Sequence, residues 1–114
     1  MIDRSALERI ENIGGGVLLG KMIDILLTNA PQRLAAARVG ETQGDLKAIE
    51  RAVHSLKSSA GNLGAMQMME MAARIEERAE NEEAEAIPPL LDELEKIWEQ
   101  VKELLEKERK GLES

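Results

Sequence analysis

Between Val17 and Val39 the apolar residues Leu19, Ile23, Leu26, Ala30, Leu34 and Ala37 recur at steps of three and four, the spacing that lines one face of an α-helix. A stripe this long must be buried against other apolar faces, and helix packed on helix is the simplest way to do it. Leu18, Met22 and Ile25 widen the stripe. Pro31 lies inside it and removes one backbone donor, which predicts a kink near Thr28 to Pro31 rather than two separate helices.

Other stretches repeat the pattern. Residues 3–13 place Ile2, Ala6 or Leu7, Ile10 and Ile13 at helical spacing behind Asp3, a residue suited to an N-cap. Gly14-Gly15-Gly16 then breaks this short leading helix, because residues without Cβ atoms make helix costly and turning easy. The run also reads as a flexible hinge, while a phosphate-cradling loop is disfavoured, since no Lys-Ser/Thr pair closes it and no strand precedes it. Gly40 to Gly44 reads as a loop, and Asp45 is placed to cap a central helix running to about Leu63 on Leu46, Ile49, Val53, Leu56, Ala60 and Leu63. Gly64 has the residue type expected just past a helix C-terminus.

The next helix uses Ala65, Met68 or Met69, Ala72, Ile75 and Ala79, with Met66, Met68, Met69 and Met71 as gap-filling core residues, and closes in the solvated acidic segment Glu80 to Glu85. Pro88-Pro89 opens the last helix, whose stripe is Ile87, Leu90 or Leu91, Leu94, Ile97 or Trp98, Val101 and Leu104 or Leu105. Trp98, the only aromatic residue, belongs in the core. Lys107, Arg109 and Lys110 suit the C-terminus of that helix, Gly111 ends it, and the last residues fray. With no alternating strand pattern anywhere, the prediction is an all-α chain: an antiparallel four-helix bundle with a short additional N-terminal helix, forming one domain over residues 1–114.

Composition narrows the function. The chain has no cysteine, so packing alone must hold it together, in keeping with a cytoplasmic location. No uninterrupted apolar run approaches the roughly 20 residues that cross a bilayer, and no secretory leader is evident, so no membrane partner is expected. A formal net charge of −7 argues against nucleic acid as a partner.

His54 is the only histidine. On the central helix it projects roughly 130° away from the centre of the apolar stripe, onto a polar face with Lys47, Glu50, Arg51, Ser58 and Gly61. That face is mixed to basic and favours a partner presenting carboxylates. One histidine without cysteine makes a poor metal site, and a Ser-His hydrolase would need an oxyanion loop that is missing. A nucleophilic imidazole needs less: exposure, an acceptor on one ring nitrogen, and a cation near the incoming group. Lys57, at i+3, can supply the cation, while Ser58 and Gly61 are small and leave room for a partner beside the ring. Glycine inside a helix is locally unfavourable, so close approach of a partner or of a neighbouring helix must explain Gly61.

The run Ala52-Val53-His54-Ser55-Leu56-Lys57-Ser58-Ser59-Ala60-Gly61-Asn62-Leu63-Gly64-Ala65 resembles the motif of histidine-containing phosphotransfer (HPt) domains, with His54, Leu56, Lys57, Gly64 and Ala65 at the expected offsets. Ser58 departs from the glycine often found there in the family. The resemblance extends over the chain and implies that His54 relays a phosphoryl group between aspartates of response-regulator receiver domains. It further implies that the domain needs no cofactor of its own, Mg²⁺ residing on the receiver. A hybrid histidine kinase is a further partner it suggests, with the domain a monomer or part of a larger multidomain chain. By the same resemblance, Glu76 stands where the phosphotransfer domain of chemotaxis-type kinases has a glutamate that bonds the imidazole. Two alternatives stay open: such a kinase domain, and a non-catalytic helical adaptor that binds receivers.

Overall fold

Asp3 accepts the Ser5 backbone N–H at 3.0 Å, and behind that cap the first helix, α1, runs Arg4–Gln43. The computed structural model describes residues 2–113 and continues with α2 (Leu46–Asn62), α3 (Met66–Glu80), a single 3₁₀ turn (Ala84–Ala86) and α4 (Ile87–Glu113). The short leading helix is therefore the first part of α1. Inside α1 only Gly15 leaves helical backbone, at φ 71° and ψ −173°, so the glycine break is a bend at one residue rather than a loop. No departure from helical dihedrals marks Thr28 to Pro31. Pro31 faces solvent, where water can stand in for the donor it lacks.

The loop expected at Gly40 to Gly44 shrinks to its last residue. Gly40 is helical and buried, and a Cβ there would stand 2.9 Å from Ile49 Cγ1; this glycine admits the start of α2 rather than turning the chain. Gly44, at φ 68°, makes the turn, and Asp45 caps α2 through the Ala48 N–H at 3.1 Å. At the next turn Gly64 adopts φ 76°, and the Asp3 N–H donates to its carbonyl at 2.8 Å, stitching the N-terminal segment over the α2–α3 connection. α4 continues through Gly111 to Glu113; of the expected frayed end, residue 114 lies outside the described residues.

Each helix packs on its neighbours in sequence, and α4 closes the ring against α1, giving a bundle 45 Å long and 19 Å across. Short connections force neighbours to run antiparallel. The α1 stripe from Leu19 to Ala37 is buried as its spacing predicts, opposite Ile49, Val53 and Leu56 of α2, Met68 and Ile75 of α3, and Leu91, Leu94, Ile97, Trp98, Val101 and Leu105 of α4. Ile13 and Val17 are exceptions, 76 % and 73 % exposed, because they flank Gly15, where the helical phase changes and neither stripe reaches the core. Ile25 also stands more than half exposed at the edge of its stripe. Of the α3 methionines only Met68 is fully enclosed; Met69 and Met71 are half-buried and Met66 is exposed.

Arg38, Arg109 and Arg4 tie α1 to α4, Arg4 by meeting Glu108. Arg38 bonds both oxygens of Glu95 at 3.0 and 2.9 Å and Glu41 at 2.6 Å, and also meets Asp92. Arg109 donates to Asp24 at 2.9 Å across Gly20, where a Cβ would lie 3.3 Å from the guanidinium carbon. Averaged rather than counted as an unbroken run, α1 holds a window of mean hydropathy 1.3, long and apolar enough to cross a bilayer by length and composition alone. Its apolar stripe is the part that packs on α2 and α4.

Candidate functional site

The site follows from the register of the α2–α3 hairpin. His54 stands eleven residues before Ala65, at the turn, and Glu76 eleven after it; Gly61 and Met69 stand four before and four after. In an antiparallel pair, residues equidistant from the turn face each other across the seam. His54 Nδ1 accordingly lies 2.5 Å from Glu76 Oε2, and a Cβ on Gly61 would lie 2.9 Å from Met69 Sδ.

Among the described residues Glu76 is the one charged residue in the core, 8 % exposed, and it holds two partners. Its Oε1 accepts Lys57 Nζ at 2.5 Å while Oε2 faces the imidazole. Burial alone would push this carboxyl up, but the hydrogen bonds from Lys57 and His54 outweigh it and hold the group below the ordinary carboxylate range. Glu76 is thus an ionised, acceptor-only group, so Nδ1 must be the donor. In the neutral ring this fixes the tautomer, with the proton on Nδ1 and the lone pair on Nε2. With the His54 side chain 61 % exposed, the ring is both held and open to a reactant.

Around the ring, Glu50, Arg51, His54, Glu76 and Glu80 line a groove of about 410 Å³ between α2 and α3. The structure thus brings Glu50 and Arg51 to His54. Lys47 is farther along α2, 3.9 Å from Glu50 and bordering a separate depression with Asp45 and Glu82. The groove sets Arg51 against Glu50, Glu76 and Glu80, and Lys57 is neutralised by Glu76, so its balance is acidic rather than mixed to basic. Ser58 is exposed one turn beyond His54, and Gly61 is half-buried against α3. Of the two explanations for Gly61, a neighbouring helix is the one visible here. A larger depression of about 730 Å³ lies on the α1–α4 side, floored by Leu34 and Trp98, and contains none of these residues.

What sequence reasoning missed is the second bond of Glu76. Lys57 was expected to stand ready for an incoming group, yet its ammonium is already engaged. The signal was available: on α2, Lys57 lies one turn from His54, so a single acidic residue across the seam can reach both.

A family model described as Hpt domain matches residues 21–104 of the chain. Among solved structures, the crystal structure of histidine-containing phosphotransfer protein B (HptB) from Pseudomonas aeruginosa PAO1 superposes with a TM-score of 0.91 at 23% sequence identity, over 96% of this chain and 94% of that one. At that identity the likeness speaks for the fold. No curated protein matches the chain.

Proposed function

The chain belongs to the Hpt domain family, the histidine-containing phosphotransfer domains of phosphorelay signalling, and we propose that His54 Nε2 is the atom that carries its phosphoryl group. Hpt domains act with receiver domains and histidine kinases, which makes an aspartyl phosphate the natural donor and a receiver aspartate the acceptor. The observation that carries the assignment is the bond from His54 Nδ1 to the ionised, buried Glu76.

The chemistry needs little more than alignment and charge. The Nε2 lone pair attacks phosphorus in line with the aspartyl oxygen; the N–P bond forms, the P–O bond breaks, and the aspartate leaves with the electron pair. No proton has to leave Nε2, because Glu76 has already placed it on Nδ1. Glu50 and Arg51 lie in the groove where a receiver would dock, Ser58 presents a small side chain beside it, and Lys47 lies outside it, 3.9 Å from Glu50. Mg²⁺ belongs to the receiver in this reading, and the domain works in the cytoplasm. The His54–Glu76 bond also favours a second reading, the phosphotransfer domain of a chemotaxis-type kinase, and sequence flanking residues 1–114 distinguishes the two.

The test is His54→Gln. It is expected to keep the helicity and melting temperature of the wild type while taking up no acid-labile phosphate from a phosphorylated receiver. Labelling at the wild-type rate would overturn the assignment.

A further inference from the structure

Lys57 and His54 share one acceptor. The ammonium lies 2.5 Å from Glu76 Oε1 and Nδ1 lies 2.5 Å from Oε2, and the carboxylate between them is buried. A buried carboxylate must keep a matching donor at all times, so whatever frees one of the two donors has to strengthen the other. In the nucleophilic form of the site, whose Nε2 keeps its lone pair, the ring is neutral and Lys57 offsets Glu76.

Transfer to Nε2 changes that balance. Once the N–P bond has formed and the donor carboxylate has left with its electron pair, the ring still bears the Nδ1 proton and becomes cationic, and the phosphoryl group brings negative charge beside it. Glu76 now faces a cation through Nδ1–H; Arg51 shares the groove with the phosphoryl group, but Lys57 is the cation whose partner has just gained another. Lys57 stands one helical turn from His54 on a flexible four-carbon stem, and its side chain is 32 % exposed, so it can leave Glu76 without unpacking the bundle.

We infer that phosphorylation of His54 exchanges the partners of this cluster: Lys57 moves from Glu76 Oε1 to the phosphoryl oxygens, and the cationic Nδ1–H remains as the partner of Glu76. The inference rests on the phosphoacceptor reading and goes beyond it. Glu76 is then a positioning residue with a second effect. The Lys57–Glu76 pair is broken when the phosphoryl group arrives and regained when it departs, which biases the domain toward passing the group on rather than keeping it.

The experiment is a double-mutant cycle on the phosphorylation equilibrium. Wild type, Lys57→Ala, Glu76→Gln and the double variant are each brought to equilibrium with phosphoramidate and ammonia, and phospho-His54 is quantified by ³¹P NMR. The cycle isolates the interaction between the two side chains that differs between the phosphorylated and free states. The product of the wild-type and double-variant constants, divided by the product of the two single-variant constants, is expected to be about one-tenth or lower, because only the wild type loses a charge-assisted bond on transfer. A quotient of one or more overturns the exchange: Lys57 then keeps its hold on Glu76 throughout. Should Glu76→Gln fail to fold by circular dichroism, ¹⁵N NMR of the wild type decides. The Lys57 Nζ resonance must move on phosphorylation, and an unmoved resonance overturns the exchange. If the wild type yields no N–P resonance at all, the phosphoacceptor reading falls as well, which separates the two failures.

Discussion

Gly64 and Gly44 form a matched pair for measuring what the docked N-terminal segment contributes. Both sit in left-handed backbone, at φ 76° and φ 68°, but a Cβ on Gly44 meets nothing within 4 Å, while one on Gly64 would stand 2.7 Å from the Asp3 carbonyl oxygen and 2.9 Å from Ala6 Cβ. Gly44→Ala therefore costs only the left-handed penalty, about 1 kcal/mol. Gly64→Ala costs that plus a steric conflict with backbone, about 2 kcal/mol by analogy with overpacked cores, or about 3 kcal/mol together. Unfolding entropy of about 2.1 cal/mol/K per residue over 114 residues converts these into melting temperatures lower by about 4 and about 12 °C. The protein can relieve the conflict by releasing the segment around Asp3, Ala6 and Leu7, which are held by the Asp3–Gly64 hydrogen bond and by burial. Calorimetry measures both shifts, and amide exchange at Leu7 reports the release, rising in Gly64→Ala alone. Equal melting shifts in the two variants, within about 2 °C, would refute the argument that the close approach of Asp3 matters.

Three further outcomes are expected. Lys57→Ala slows phosphoryl transfer in both directions and also lowers stability by about 1–2 kcal/mol in urea melts, because it leaves buried Glu76 with one donor; an unchanged transfer rate would return Lys57 to a purely structural role. Gly61→Ala is neutral to within about 0.5 kcal/mol, the helix-propensity gain being offset by displacement of Met69 Sδ, and in a Met69→Ala background the gain of about 1 kcal/mol emerges in full; an identical effect in both backgrounds would show that Met69 does not oppose the new side chain. In acid, Glu76 and Glu95 should both weaken the fold as pH drops. Burial would raise Glu76, but Lys57 and His54 outweigh it, and Arg38 lowers Glu95, so each binds fewer protons folded than unfolded; their stabilisation is present above the ordinary value of 4.5 and is lost as pH falls through the lowered folded values. Denaturant melts between pH 6 and pH 3 are expected to show a shallower acid decline for Glu76→Gln than for wild type, and parallel curves would remove Glu76 from the linkage.

The helices, their faces and most of the core were legible in the order of residues because burial of an amphipathic helix obeys a period of 3.6 residues, and that period is local. So were the caps at Asp3 and Asp45 and the outward aspect of His54, which need only the phase of one helix. At Gly111 the helix continues although a Cβ there would meet nothing within 4 Å, and the extra loop at Gly40 was misread for a different reason. A glycine signals either a turn or a close approach, and only the neighbour decides: at Gly40 the neighbour is Ile49, and the chain stays helical. Gly61 is the same ambiguity, resolved by Met69.

Glu76 marks the boundary between the two kinds of information. Its offset from His54 suggested a bond to the imidazole only by resemblance, since nothing in the local pattern tells an acidic residue on a solvated face from one at a seam. Tertiary packing removed it from water, and burial made its charge dependent on Lys57 and His54 at once. The strength of a charge interaction depends on dielectric surroundings and on distances between residues remote in sequence, and neither exists until the helices have met. The periodic pattern determined that His54 would be exposed on a helix; the contact of α2 with α3 decided which ring nitrogen meets Glu76 and which faces outward without it.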